Sequence, residues 1–264
     1  MDRRKNAAPT DFDFLNQLKS LSFLSPVARQ DLASQLDFAD FRRGAPIFHE
    51  KDLAAGVHIL LRGVVKITCL NPTGRRVTIA LVAPGPIPQF VSLPVDRWHF
   101  RCEAHSDCRV GSVNWDQFDL ITRDVPRADL RKFHENNLTQ WYRFFGGSLD
   151  LRERLLLTLL QLCSIFGVQE SRGMLLRVLL THKDLAGLVG ASRPRVTEHM
   201  EKFEREHIIV RQGRQMIVCL DKLESSLGIP RRERNQSFSK GGAQSRLPYV
   251  DRLYGHSSLA AAAH

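Results

Sequence analysis

Hydrophobic positions fall into three regimes along the chain: helical spacing at the start, strand spacing in the middle and helical spacing again beyond it. From Asp13 to Leu36 the residues Leu15, Leu18, Leu21, Leu32 and Leu36 recur as they would on helix faces. Ser25 followed by Pro26 predicts a helix start, because serine can cap and proline suits a first turn. From Phe41 to Trp115 the apolar runs are short and rich in β-branched residues. "GVHILLRGVVKITCL" predicts two strands about Gly63, "NPTGRR" a turn, and "VTIALV" a further strand. "PGPIP" cannot lie inside a sheet, since proline gives the ladder no donor. "WHFRCEAH" and "CRVGSVN" resume the strand spacing, so the region predicts a β-roll or sandwich. Beyond Trp115 the pattern is helical again. Leu130, Phe133, Leu138, Trp141 and Phe145 form one broad stripe, with Arg131, Glu135 and Gln140 between them and Gly146-Gly147 as a break. Asp150 with Glu153 predicts a capping-box start for "LRERLLLTLLQLCSIFG".

The most ordered pattern runs from Thr181 to Val218. Thr181 can cap a helix with Asp184 at its third position, and Leu185, Leu188 and Val189 face a core. Gly190 predicts the helix end, where glycine adopts the left-handed conformation most readily. Ser192 caps a second helix with Pro194 in its first turn, and Val196, Met200 and Phe203 form its buried stripe. Its other faces carry Arg193, Arg195, Thr197, Glu198 and Lys202, and Gly213 then turns a two-stranded wing. Helix, glycine turn, capped helix and hairpin together predict a winged helix-turn-helix, whose second helix fits the DNA major groove. Arginine can there donate twice to guanine, and glutamate can accept from cytosine.

The formal charge of +10 over 264 residues favours an acidic partner such as nucleic acid. A hydrophobic fraction of 43% argues against wholesale disorder. No apolar run approaches the ~20 residues that span a bilayer. "MDRRKNAAPTDFDF" has no apolar core, so no secretory signal is expected. Five scattered cysteines without a Cys-x-x-Cys pair suit a reducing cytoplasm. No Gly-rich phosphate loop, nucleophile motif or metal-ligand helix points to an enzyme. Two function classes are left: a DNA-binding regulator, and a non-DNA-binding effector or scaffold module. The wing and the arginines favour the first.

"THKDLAGLVGASRPRVTEHMEKFEREHIIV" resembles the helix-turn-helix of the Crp/Fnr family of bacterial transcription regulators, in which a Ser-Arg pair opens the recognition helix. "IFHEKDLAAGVHILLRGVVKI" and "TGRRVTIALVAPG" resemble strands of that family's effector β-roll, and "LDLRERLLLTLL" its hinge and following helix. The resemblance implies an α+β chain with an N-terminal double-stranded β-roll of jelly-roll type, a long dimerisation helix and a C-terminal winged helix-turn-helix. The expected divisions are a disordered tail at 1–12, the β-roll at 13–122, the dimer helix and hinge at 123–149, the DNA-binding domain at 150–227 and a disordered basic tail at 228–264. The implied partners are double-stranded DNA, a second copy of the chain and RNA polymerase. The expected compartment is the cytoplasm, at the nucleoid, with no membrane association.

Carried over by motif, base reading falls on Arg193, Pro194, Thr197 and Glu198, and phosphate contact on Thr181 and His182; Ser192 and Arg195 are expected at phosphate as well, with Arg211 and Arg214 in the wing. Leu130, Leu138, Trp141 and Phe145 mark the dimer helix. Pro194 stands where the family often has glutamate, and Glu198 where it often has arginine, so an operator of a different sequence is expected.

Cyclic-nucleotide binders in the family hold the phosphate with a Gly-Glu-Leu helix and an arginine. Here Pro88-Gln89-Phe90 and Trp98-His99 occupy those places, and an unpaired buried phosphate would be very unfavourable. No cofactor and no metal are therefore expected. A cyclic-nucleotide-, haem- or redox-responsive protein stays as an alternative, with His99, Cys102 and Thr139 as its pocket residues. His99, Cys102, His105 and Cys108 are spaced like a ligand series, but strand geometry sends them to alternate faces. An iron–sulfur sensor is disfavoured, because the N-terminal region has no cysteine. Cys163 and Cys219 are expected in the core.

Overall fold

The computed structural model describes residues 9–70, 74, 76–87, 97, 98, 100–126, 129, 130 and 149–228. The chain divides into two compact units, Met1–Phe145 and Gly146–His264. Leu130 of the expected dimer helix is half-buried, whereas Thr139, Leu138, Trp141 and Phe145 lie outside the described residues, as do His99 and the tail beyond Gly228.

The N-terminal unit begins with α1 (Pro9–Gln17), a short 3-10 turn (Lys19–Leu21) and α2 (Pro26–Gln35). The helical spacing from Asp13 to Leu36 is thus two helices. Leu18, with extended backbone, follows the end of the first, and Ser25, pushed out of the helical region by the proline after it, precedes the second. Its side chain then caps α2 by accepting from the Ala28 amide at 3.1 Å. Helix α1 opens at Pro9, inside the tail expected at 1–12. The reason is Asp11, 1% exposed, which Arg109 grips through Nε to Oδ1 at 2.7 Å and Nη2 to Oδ2 at 2.8 Å. Arg109 also donates to Asp40 at 2.7 Å and lies over the Phe38 ring.

Eight strands follow: β1 (Asp37–Phe41), β2 (Pro46–Phe48), β3 (Gly56–Arg62), β4 (Val65–Leu70), β5 (Arg76–Val82), β6 (Gly85–Pro86), β7 (Arg101–Ala104) and β8 (Cys108–Asn114). They form two antiparallel four-stranded sheets, in the orders β1-β8-β3-β6 and β2-β7-β4-β5. Pro86 sits on an edge strand, where its missing N–H is tolerated. Gly63 joins β3 to β4 at φ 89°, and a Cβ there would meet the Asp107 carbonyl at 2.3 Å. The sheets share one core, in which Phe41, Leu60 and Val110 meet Phe48, Ile67 and Ala104. The alternate residues Phe38, Val57, Ile59 and Val113 pack instead under Leu15, Leu32 and Phe118. Phe118 belongs to α3 (Trp115–Thr122), which Asn114 caps.

The C-terminal unit opens with α4 (Leu151–Phe166), held by the expected capping box: Glu153 N donates to Asp150 at 2.8 Å, and Asp150 N to Glu153 at 2.9 Å. Then come β9 (Gly167–Glu170), β10 (Gly173–Leu176), α5 (His182–Val189), α6 (Arg193–Arg205), β11 (Ile209–Gln212), β12 (Gln215–Val218) and α7 (Leu220–Ser226). The two-stranded wing is in fact half of a four-stranded sheet, β11-β12-β10-β9. Met174, Leu175 and Leu176 pair with Val218, Ile217 and Met216, which gives the wing hairpin a partner on its inner edge. Cys163 is buried as expected, but Cys219 is only half-buried, because it sits at the N-cap of α7.

The Asp11–Arg109 pair is the main polar tie between α1 and the roll. Removing one partner of a buried pair strands the other charge. Arg109→Leu is expected to destabilise the N-terminal unit by ~3 kcal/mol. Urea unfolding followed by tryptophan fluorescence checks this, since Trp98, Trp115 and Trp141 all belong to that unit. An unchanged midpoint would remove the pair from the account of the fold.

Candidate nucleic-acid interface

Two helix ends set the geometry of the site. At the start of α5, Thr181 N donates to Asp184 at 3.0 Å, its hydroxyl donates to the same carboxylate at 2.6 Å, and Asp184 N donates back to the hydroxyl at 3.1 Å. Both donors of Thr181 are therefore committed to the cap, which bears against its expected role as a phosphate donor. At the other end Gly190 adopts φ 64° and ψ 38°, and Ala191 N reaches back to the Ala186 carbonyl. Ser192 stands at the N-cap of α6, but its side chain makes no capping bond. Pro194 fills the second helical position and offers no amide, so only the Arg195 amide at the third position could serve such a cap. Exposed Ser192 accordingly keeps its hydroxyl available at the surface.

Val196, Met200 and Phe203 are each 0% exposed and fix the rotation of α6. Arg152 lies over the Phe203 ring and bridges Glu206 at 2.7 Å. The opposite face then carries exposed Arg193, Pro194, Arg195 and Glu198, with Thr197 partly covered. Arg193, Pro194, Thr197, Glu198 and Glu201 line one shallow depression, so the four predicted base-reading residues share a surface. Arg211 and Arg214 are exposed on either side of the wing turn.

Several of these side chains already have partners. Glu198 accepts from Lys202 at 2.6 Å, one helical turn on, and this bond holds its carboxyl below the usual range. Thr197 Oγ1 donates to the Arg193 carbonyl at 3.0 Å and lies 2.8 Å from His182 Nδ1. His182 Nε2 faces Arg211 Nη2, while Arg211 Nε is bonded to Glu204. Burial first, and the Arg211 charge second, push the His182 pKa down. The sequence did not reveal this cluster. His182, Thr197 and Arg211 lie in three elements, and no periodicity joins them.

In the β-roll, Trp98 is 4% exposed and stacks on Phe48 with ring centres 4.3 Å apart, beside Phe100 and His58. His58 Nδ1 pairs with Ser112 Oγ at 2.7 Å, and burial lowers its pKa to about 4. Cys102 and Cys108 belong to the same core, and burial pushes both thiols up, away from thiolate chemistry. Among the described residues no three histidine, cysteine or acidic side chains group as a metal site, and no helix is long and apolar enough to cross a membrane.

The family model for the cyclic nucleotide-binding domain matches residues 38–124, and that for the Crp-like helix-turn-helix domain matches residues 153–225. The chain belongs to the Crp/Fnr family. Like other Crp/Fnr proteins it is a DNA-binding transcription regulator, with the cyclic-nucleotide-binding fold ahead of the helix-turn-helix. It is similar to the CRP-like cAMP-activated global transcriptional regulator of Mycobacterium tuberculosis, with 28% identity over 74% of this chain and 89% of the relative. It is also similar to the global nitrogen regulator of Synechococcus elongatus, with 26% identity over 69% of this chain and 86% of the relative. Among solved structures, FixK2 from Bradyrhizobium japonicum shares the fold at a TM-score of 0.62, with 19% identity over 72% of this chain and 96% of the other.

In this Crp/Fnr helix-turn-helix the left-handed Gly190 sets the angle between α5 and α6. A Cβ at Gly190 would meet nothing within 4 Å, so alanine there is resisted by backbone strain alone. Gly190→Ala is expected to lower the stability of α5 and α6 by ~1 kcal/mol. Hydrogen exchange at their amides checks this. Unchanged protection would show that the turn relaxes without penalty.

Proposed function

We propose that this Crp/Fnr regulator binds an inverted-repeat operator as a two-fold dimer and works without cyclic-nucleotide control. The observation that carries the DNA reading is the face of α6: a fully buried stripe on one side, and Arg193, Pro194, Thr197 and Glu198 together on the other. Arg193, at the first helical position, is placed to donate to guanine in the major groove. Glu198, one turn further on, is placed to accept from cytosine once it exchanges Lys202 for the base. Arg195, Ser192 and the wing residue Arg214 take the phosphate contacts, helped by the amides at the N-terminus of α6. The apolar stripe of Leu130, Leu138, Trp141 and Phe145 supplies the dimer contact. Contact with RNA polymerase belongs to the same proposal.

One observation supports independence from cyclic nucleotide. Trp98, which stands about where the family's cyclic-nucleotide binders have their arginine, is buried among the rings inside the roll and brings no cation to a phosphate. An unpaired phosphate in such surroundings would be very unfavourable.

Arg193→Ala is expected to lose ~1–3 kcal/mol of discrimination between the operator and unrelated DNA. Arg195→Ala should weaken binding to both by similar factors. Fluorescence anisotropy with the two DNAs checks this, and an Arg193→Ala protein with wild-type discrimination would contradict the groove assignment. Millimolar cyclic AMP or cyclic GMP is expected to leave operator affinity unchanged. Calorimetric binding of either nucleotide, with a matching rise in DNA affinity, would contradict that expectation.

A further inference from the structure

The contacts of His182 form a chain with one consistent order of protons. Arginine has no acceptor, so Arg211 Nη2 must donate to His182 Nε2 across their 2.5 Å contact. Nε2 therefore carries the lone pair, and the proton of the neutral ring sits on Nδ1. Nδ1 then donates to Thr197 Oγ1 at 2.8 Å. The Thr197 hydroxyl in turn donates to the Arg193 carbonyl at 3.0 Å. One imidazole thus spans α5, α6 and the wing, and it orients two groups of the reading surface. The charged groups facing the ring are Arg193, Glu201 and Glu204 from α6 and Arg211 from β11.

We propose that His182 is a positioning residue for DNA reading, whose neutral Nδ1–H tautomer holds the Thr197 hydroxyl and the Arg211 guanidinium in place, and whose protonation releases Arg211 toward the DNA backbone. This rests on the reading that α6 and the wing meet DNA. Protonation puts a hydrogen on Nε2, which can no longer accept from Arg211, and sets two cations against each other. Glu204 still holds Arg211 through Nε, so the arginine pivots on that bond and turns its outer nitrogens outward. In the free protein, burial and Arg211 disfavour the charged ring, so the neutral latch prevails at neutral pH. DNA phosphates favour the charged ring. Binding therefore takes up a proton in the pH range between the ring's lowered pKa in the free protein and its higher pKa in the complex, and operator affinity rises as pH falls through that range.

The test uses the full chain and His182→Gln, whose amide can still accept from Arg211 but does not titrate. Operator affinity is measured by anisotropy from about pH 8 down to about pH 5.5. With each protein's affinity normalised to its own value near pH 8, wild type is expected to gain about threefold or more relative to the variant across that range. Parallel profiles for the two proteins would overturn the proposal. Ring nitrogen-15 spectra of the DNA-free protein, assigned by loss of one histidine signal in the variant, are expected to show the Nδ1–H tautomer near pH 8. An Nε2–H ring would overturn the latch whatever the DNA result. The expected tautomer without operator binding in either protein would instead count against the DNA reading on which the proposal rests.

Discussion

The burial of Val196, Met200 and Phe203 on one side of α6 is the constraint from which the proposed DNA-reading surface follows. A helix locked at three successive turns cannot rotate about its axis without exposing a phenyl ring and a thioether to water, at a cost of several kcal/mol. That lock decides which residues are left outside. Arg193, Pro194 and Glu198 are outward because the i, i+4, i+7 stripe is inward. The capping box of Thr181 and Asp184 and the left-handed Gly190 then fix where α6 starts. The sheet order β11-β12-β10-β9 seats the wing hairpin on strands that the core already holds. The polar surface has no order of its own; it inherits the order of the apolar side.

The N-terminal unit follows the same logic with a different outcome. Its two sheets close on a core dense in aromatic rings, in which Trp98 and Phe48 stack. His58 is drawn into the same core and held by Ser112 as a neutral ring. The unit keeps the scaffold of the cyclic-nucleotide-binding domain.

Much of this was legible in the sequence, and the legible part is local. The Ser25-Pro26 start, the Asp150–Glu153 box, the Gly190 terminus and the α6 stripe each depend on residues within about two turns of one another. What the sequence concealed depends on distant partners. Helix α1 begins at Pro9 because Arg109, far along the chain, binds Asp11. Strand β10 takes its form from pairing with β12, distant in the sequence, and β9 joins it as a hairpin. Ser192 has the right residue type for a cap, yet its side chain makes no capping bond. At the candidate site, the exposed arginines followed from periodicity. The His182–Thr197–Arg211 cluster did not, because helix spacing says nothing about which loops and wings fold back upon it.

The central claim is that this surface reads a two-fold DNA sequence. The most direct measurement is selection of duplexes from a random pool by the purified full chain, followed by sequencing of the retained DNA. The account predicts enrichment of an inverted repeat whose half-sites lie about one helical turn apart. It also predicts tighter binding to that repeat than to random DNA at the same salt concentration. Retained sequences without a shared motif, bound no more tightly than the starting pool, would contradict it.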